Sequence, residues 1–467
     1  MIASVNGLAD TIAAIATAPG ESAICIVRIA GPDSLAIADR IFRCRGAKPS
    51  ERPGNTFIYG HVVKPADKQA ASGAGETLDE ALMLVFRAPH SYTREDAVEI
   101  QGHGGGACAR RILQAALDAG ARLADPGEFT KRAFLNGRID LVQAEAVIDL
   151  IRARSDRAAT AAVEQLAGRL SGTLAKLYDM LIEVSAELEA TLDFSEEEVP
   201  SPLLDGCIMR LDASQGQLQS LLDTWSEGHL LRDGALVVIS GRPNAGKSTL
   251  FNALLGRDRA IVTHVPGTTR DVIEEILVVQ GFPIRLADTA GLRATQCHIE
   301  TEGIRRARDW IERADVNVYV MDASVPLERE DQEHLRGLHP ARSVVILNKA
   351  DLGLRVQPQD CNDLTTVVCS LLHGSGLDTL KSVLLSKLHA RPSAPPHASI
   401  SERHRQGLIM AQKDIVDATG LLRRGEEGIA LAASKIRAAA ESIGGILGRV
   451  YEEDLLDSIF SRFCIGK

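Results

Sequence analysis

Hydrophobic positions along this chain do not keep one period, and each change of period marks a change of predicted structure. Over residues 1–136 short β-branched runs (Ala23–Ile29, Thr56–Val63, Glu80–Phe86 and Ala97–Gln101) alternate with glycine- and proline-rich turns, which predicts an α+β domain. From about 139 to 192 the spacing becomes helical. Leu166, Leu170, Leu174, Leu177, Leu181, Val184 and Leu188 form one apolar seam and predict a long amphipathic helix whose leucines pack a bundle. The helix is expected to stop at DFSEEEVPSP, where an acidic run and two prolines break it, and a further helix is expected over Leu203–Trp225. From about 234 to 388 the runs ALVVIS, VNVYVMDAS and VVILNKAD are apolar throughout, suited to burial on both faces of a parallel sheet. After the proline-rich ARPSAPPHA, helical periodicity returns from about 401 to the end.

An α/β segment bracketed by helical segments predicts a domain inserted into a helical one. The expected division is 1–136, 137–232, 233–389 and 390–467, in a multidomain protein of α+β and α/β class. Composition adds limits. The 467 residues are 45% hydrophobic, enough to bury sizeable cores. The net charge of −10 gives no global field for nucleic acid, so any such contact is local. The eight cysteines are scattered without C-x-x-C or metal-ligand spacing, as expected of reduced thiols in a cytoplasmic protein. The start lacks a basic n-region and carries Asp10 in its apolar stretch, which argues against a signal peptide. No run of about 18 uncharged apolar residues exists to span a membrane.

The chemistry concentrates in the α/β segment. GRPNAGKS, Gly241–Ser248, directly follows the strand ALVVIS and precedes the helical TLFNALLG. In that setting G-x-x-x-x-G-K-S is a phosphate cradle: glycines let backbone N–H groups converge, Lys247 neutralises phosphate charge and Ser248 ligates Mg2+. DTAG, Asp288–Gly291, follows the strand IRLA and brings a carboxylate near the metal. NKAD, Asn348–Asp351, ends another strand, and its Asp351 carboxylate can accept from guanine N1–H and the exocyclic amine. The set therefore points to GTP. The base-side loop CSLLHGSG is looser, with Leu371 after Ser370 where GTPases usually have alanine.

Leu292 follows Gly291, where Ras-like enzymes place a water-orienting glutamine, so another group must hold the nucleophile. Glu300 is one candidate, and an exposed helix-start glutamate is the alternative. In IVTHVPGTTRD, Thr268 and Thr269 supply two hydroxyls, one to close the Mg2+ shell. The other could join Asn244 around a monovalent cation that supplies the charge of an arginine finger.

Taken together, the chain closely resembles the bacterial tRNA-modification GTPases of the MnmE (TrmE) family. The likeness runs through DTIAAIATAPG, SYTREDAVEIQGHGG, PGEFTKRAFLNGRIDLVQAEAVIDLI, GRPNAGKSTLFNALL, PGTTRD, DTAGLR, NKAD and the terminal FCIGK. The resemblance implies an N-terminal domain that binds tetrahydrofolate and dimerises, a helical domain made from two chain segments, and an inserted Ras-like G domain. It implies K+-dependent GTP hydrolysis by paired G domains. It also implies a partner, the FAD protein MnmG, in a heterotetramer or larger assembly. Together they install a (carboxymethyl)aminomethyl group at C5 of the wobble uridine of certain tRNAs, with a one-carbon unit from 5-formyltetrahydrofolate or a related derivative.

Carried onto this sequence, the family's nucleotide contacts fall on Asn244, Ala245, Gly246, Lys247, Ser248 and Thr249, then on Thr263, His264, Val265, Pro266, Gly267, Thr268 and Thr269. They continue with Asp288, Thr289, Ala290 and Gly291 and close with Asn348, Lys349, Ala350 and Asp351. The K+ ligands fall on Asn244, Thr263, Val265 and Thr268, and Mg2+ on Ser248 and Thr269. The water-orienting glutamate aligns with Glu300, beside Lys247 as the other catalytic group. Folate contacts align with Arg28, Glu99, Arg138 and Lys467, and Arg138 departs from members that carry lysine there, which changes geometry but keeps charge.

Two stretches admit other functions. QGHGGGACARRIL looks like a hydrolase oxyanion loop, but no G-x-S-x-G accompanies it, so a tight β-to-helix turn is expected. FCIGK fails as a prenylation box because Gly466 is not aliphatic and Lys467 is no usual specifier. Leu455, Leu456, Ile459, Phe460 and Phe463 form a helical stripe that should dock the tail, with Gly466 as a turn and Lys467 reaching a folate pocket. Cys464 is then either a thiol near the one-carbon carrier or purely structural. The rival function is a regulatory RNA- or ribosome-associated GTPase switch without one-carbon chemistry.

Overall fold

The computed structural model describes residues 10–65, 75–193, 201–258, 274–288, 309–389 and 400–467. Its contacts divide the chain into two compact units, residues 1–148 with 447–467, and residues 149–446.

The first unit is built on a seven-stranded sheet of order β3-β4-β5-β6-β2-β1-β7. Its strands are β1 (Ile12–Ile15), β2 (Ile24–Ala30), β3 (Phe42–Cys44), β4 (Thr56–Val63), β5 (Thr77–Phe86), β6 (Ala97–His103) and β7 (Arg122–Leu123), antiparallel except for β1 and β7. The β-branched runs read from the sequence are β2, β4, β5 and β6. Helices α1 (Ser34–Ile41) and α2 (Gly106–Asp118) bury Ile37, Ile41 and Ile112 against Val27, Met83 and Ile100 of the sheet. The turn from β6 into α2 passes through Gly104, where a Cβ would come within 2.0 Å of the Ser22 carbonyl oxygen, so the glycine there is steric. Helix α3 (Glu128–Leu135) carries Arg132, 1% exposed, which binds Asp10, Glu95 and Glu128. Burial in that cluster pushes the Glu95 carboxyl above its ordinary range.

The helical stretch of 139–192 is made of three helices, α4 (Leu141–Arg152), α5 (Asp156–Leu166) and α6 (Arg169–Asp193); the long helix expected from the leucine seam is α6, with Leu166 left at the end of α5. Ser155 caps α5 by accepting from the Ala158 N–H at 3.2 Å, and Gly168 at φ +88° separates α5 from α6. The apolar spacing runs through the break, which is why periodicity alone hid it. From Leu170 to Leu188 the seam lies on α6 and every member is buried, as expected. The helix expected over Leu203–Trp225 is α7 (Ser201–Asp223), and Trp225 instead opens α8 (Trp225–Asp233), because the Thr224 hydroxyl donates back to the Leu221 carbonyl at 2.6 Å.

The second sheet has the order β13-β12-β11-β8-β10-β9. Its strands are β8 (Ala235–Gly241), β9 (Glu274–Val279), β10 (Phe282–Asp288), β11 (Val316–Asp322), β12 (Ser343–Asn348) and β13 (Thr365–Val368), parallel except for β9. Helices α9 (Lys247–Asp258), α10 (Arg329–Gly337) and α11 (Leu377–Lys387) belong to this α/β part. The strands β8, β11 and β12 are buried almost end to end, which is what apolar runs without alternation dictate. Long helices follow, α12 (Glu402–Leu422) and α13 (Ile429–Leu447), and α14 (Glu453–Phe460) returns the chain to the first unit. The fold is the expected combination: an α+β N-terminal part, helical segments on either side, and an inserted P-loop α/β sheet. Among the described residues no helix is long and apolar enough to cross a membrane.

Candidate functional site

Two sites form, one in each unit. The first stands at the carboxyl edge of the parallel strands, where α/β sheets bind ligands. β8 ends at Gly241, β10 at Asp288 and β12 at Asn348, so these three strand ends lie on one edge because the strands run in one direction.

The phosphate loop is shaped by close packing. Gly246 has φ +110°, and a Cβ there would come within 2.2 Å of Asn348 Nδ2. That amide donates to the Ala245 carbonyl at 2.9 Å, while its Oδ1 accepts the Leu371 N–H at 3.2 Å. Asn348, 4% exposed, therefore stitches the loop to the base-side segment. Asn244 also takes a left-handed φ of +62°. Lys247 Nζ donates to the Gly241 and Arg242 carbonyls at 2.9 and 2.7 Å, which lays the ammonium over the loop. Ser248 and Thr249 are exposed in the first turn of α9, which leaves them and the helix N-terminus open to an anionic ligand.

At the base side Lys349, φ +62°, pairs with Asp322 Oδ2 at 2.5 Å, and Ala350 donates its N–H to the Cys369 carbonyl at 3.1 Å. Ser370 Oγ donates to Asp351 Oδ1 at 2.5 Å, and this bond holds the Asp351 carboxyl below its usual range. A carboxylate kept ionised and fixed in direction is an acceptor suited to guanine's paired donors. The structure thus brings Asn244, Ala245, Gly246, Lys247, Ser248, Thr249, Asn348, Lys349, Ala350 and Asp351 into one site, with Asp288 ending the neighbouring strand. Thr263, His264, Val265, Pro266, Gly267, Thr268, Thr269, Thr289, Ala290, Gly291 and Glu300 lie outside the described residues.

The second site is a cavity of about 490 Å³ in the first unit, bordered by Arg28, Tyr92, Glu99 and Arg138. Arg28 and Glu99 are cross-strand partners in the β2–β6 register, and their side chains pair at 2.7 Å. Tyr92 contacts two cations: its ring centroid is 5.2 Å from the Arg28 guanidinium and 4.6 Å from that of Arg138. Its hydroxyl bonds the Thr130 hydroxyl at 2.9 Å, and its carbonyl accepts from Arg138 Nη1, also at 2.9 Å. In the sequence Tyr92 stands in SYTREDAVEIQGHGG with nothing in its spacing to give it a role. An aromatic among charged residues was the available signal.

The C-terminal tail belongs to the same unit. Phe460 and Phe463 are buried with Phe134, Leu141 and Leu456. Gly127 packs directly on them, since a Cβ there would come within 2.6 Å of the Phe460 carbonyl oxygen. Gly466 has φ +93°, and its carbonyl accepts from Arg28 Nη1 at 3.4 Å. Lys467 is half-buried, and its N–H closes a turn onto the Cys464 carbonyl at 3.3 Å; it is not among the cavity's lining residues. Cys464 itself is exposed.

Comparison with known proteins gives a consistent result. The family profile described as "GTP-binding protein TrmE N-terminus" matches residues 11–138, and "MnmE helical domain" matches residues 141–464. The tRNA modification GTPase MnmE of Geotalea uraniireducens is 42% identical over 98% of this chain and 99% of its own. That of Symbiobacterium thermophilum is 44% identical with the same coverage of each. Among solved structures, the G domain of the T. maritima FeoB iron transporter is similar over 33% of this chain and 98% of its own, at 26% identity and a TM-score of 0.26.

Proposed function

The chain belongs to the MnmE family of tRNA modification GTPases, and from that premise we propose that it couples GTP hydrolysis to folate-dependent modification of the tRNA wobble uridine. It is a GTPase acting in tRNA modification. In the proposed reaction it works with an FAD-containing MnmG-type partner to place a (carboxymethyl)aminomethyl group at C5 of that base. The four-part division at 1–136, 137–232, 233–389 and 390–467 belongs to the same proposal.

In the nucleotide site Lys247 neutralises charge on the β- and γ-phosphates, and Asp351 reads guanine. Ser248, exposed at the start of α9, suits an Mg2+ ion, with Thr269 as its second protein ligand. Asn244, Thr263, Val265 and Thr268 would hold K+, and Glu300 would orient the attacking water. Mg2+ and K+ there offset the charge that develops on the phosphates.

The observation that carries the folate half is the cavity over the Arg28–Glu99 pair. Its volume of about 490 Å³ falls within the range of small-molecule sites, roughly 300–1,000 Å³. Glu99 offers a carboxylate to the paired N–H donors of a pterin ring, and the Tyr92 ring offers a flat apolar contact. Arg138, which lines the cavity, offers a cation to a carboxylate of the ligand's glutamate tail, and Lys467, outside that lining, is proposed as a second cation for a tail that extends beyond it. A tetrahydrofolate derivative bound there supplies the one-carbon unit. Cys464, exposed in the C-terminal segment of the chain, is a candidate thiol.

The same sheet supports a homodimer. Its face opposite the helices carries Phe57, 77% exposed, and Tyr59, 60% exposed. These are the register partners of Leu84 and Leu82, so the apolar residues are contiguous.

Calorimetry on the full chain with 5-formyltetrahydrofolate tests the proposal. Micromolar binding that Arg28→Ala abolishes is expected. No heat in the wild type, with GTPase activity intact, would leave the regulatory GTPase switch as the better account.

A further inference from the structure

Arg242 stands in the phosphate loop directly after Gly241, outside the residues expected to touch nucleotide. Gly241 has little freedom: φ is +138°, and a Cβ would come within 2.2 Å of the Val320 carbonyl oxygen. At Arg242 the chain makes two connections at once. Its main-chain carbonyl accepts from Lys247 Nζ at 2.7 Å. Its guanidinium meets the carboxylates at the start of α10, with Nη2 2.7 Å from Glu328, Nη1 3.2 Å from Asp331 and Nε 3.7 Å from Glu330.

The acidic end of that anchor is itself fixed. Asp331 is 6% exposed and accepts the Tyr319 hydroxyl at 3.1 Å and the Glu328 N–H at 3.4 Å. Tyr319 is 1% exposed in the middle of β11, its ring stacked on His334 and its backbone in register with Ser240 of β8. A chain of contacts therefore runs from the ammonium of Lys247 through Arg242 and Asp331 into the sheet. Charge matters as well as geometry. Three carboxylates surround this one guanidinium, and without it they stand unbalanced beside a loop that must accept a polyphosphate.

We infer that Arg242 is a positioning residue for the nucleotide: held by Glu328, Glu330 and Asp331, it fixes the carbonyl that holds Lys247 and masks acidic charge from the phosphates. The inference rests on Gly241–Ser248 being the phosphate loop of the GTP site. It predicts a change in nucleotide affinity with little change in the chemical step, because Arg242 touches no reacting atom.

Binding of fluorescent N-methylanthraniloyl GDP and GTP to the full chain reads it directly. Arg242→Ala is expected to weaken both about tenfold, mainly through faster dissociation, the scale of losing charge-assisted bonds at a half-exposed site. kcat at saturating GTP should stay within about twofold. Arg242→Lys, which keeps charge but not the fork, should recover part of the affinity. Adding Glu328→Gln and Glu330→Gln to Arg242→Ala should also recover it, with Asp331 kept for Tyr319. Wild-type affinity in Arg242→Ala overturns the inference. A loss that neither the lysine nor the glutamines relieve, accompanied by a lower melting temperature without nucleotide, overturns it too by making Arg242 merely structural. A wild type that binds no guanine nucleotide would instead remove the phosphate-loop premise.

Discussion

Asp351 shows how much of a site is set by single side chains. The Ser370 hydroxyl fixes one carboxylate oxygen at 2.5 Å, and His373 Nε2 stands 4.0 Å from the other. An ionised carboxylate only accepts, so it matches guanine's N1–H and amine and mismatches a base that presents acceptors there. Asp351→Asn replaces one acceptor with a donor. GTP affinity should fall about 100-fold, two charge-assisted hydrogen bonds being lost, while xanthosine triphosphate, with an oxygen in place of the amine, should gain. Competition against a fluorescent GDP analogue measures both, and an unchanged GTP-to-XTP ratio would take the base-reading role from Asp351. NKAD and the P-loop were legible because each is a short contiguous run that carries its own binding groups, the Asp351 carboxylate in one and backbone N–H groups with Lys247 in the other, so spacing carries the chemistry. Tyr92 and Arg242 were not. Their roles come from Thr130 and Arg138 in one case and from Glu328, Glu330 and Asp331 in the other, partners that only the fold assembles.

Elements were legible where a local pattern has one structural solution. The runs that became β2, β4, β5 and β6 offered β-branched residues bounded by turn formers, and β8, β11 and β12 offered uninterrupted apolar residues. Between α5 and α6 the apolar spacing persisted while the backbone broke at Gly168, so period and continuity gave different answers. The stripe of α14 was equally plain, but its receiving surface was not, because Gly127 and Phe134 lie more than 300 residues earlier. That docking carries a consequence for the last residues. A Cβ on Gly466 would lie 2.3 Å from the Ile15 carbonyl oxygen, and φ is +93°, so Gly466→Ala must move the tail at a cost of about 1–2 kcal/mol. If the tail completes the folate site, affinity for 5-formyltetrahydrofolate should fall about tenfold, 1.4 kcal/mol being one factor of ten. Gly172→Ala is the control, since nothing lies within 4 Å of a Cβ there on α6, and it should leave folate affinity unchanged and raise stability by roughly 0.5–1 kcal/mol. Equal folate affinity in Gly466→Ala would separate the tail from the site.

At the scale of the whole molecule, helical periodicity on both sides of an α/β segment made the insertion visible in the sequence. Which surface a second copy would cover was not visible, because alternation in a strand does not say whether its outer face meets water or protein. In β4 and β5 that face bears Phe57, Tyr59 and Leu82, and α1 and α2 cover the other side. Leu82, 40% exposed, sits at the centre of this patch as the cross-strand partner of both Tyr59 and Gln101. Leu82→Glu puts a charge where pairing would desolvate it, so if this face pairs two copies, light scattering should report a dimer for the wild type and a monomer for the variant. The nucleotide site lies in the other unit, so GDP affinity should not change. If hydrolysis needs two G domains brought together around K+, the wild type should be faster in K+ than in Na+, and Leu82→Glu should lose that difference at micromolar protein. Glu300→Ala should show the complementary defect, a dimer that binds GTP and fails to hydrolyse it. A monomeric Leu82→Glu protein that keeps the K+ response would uncouple hydrolysis from pairing. A Leu82→Glu dimer would move the interface to another face. Equal wild-type rates in K+ and Na+ would remove the monovalent cation from the mechanism, whatever the oligomeric state.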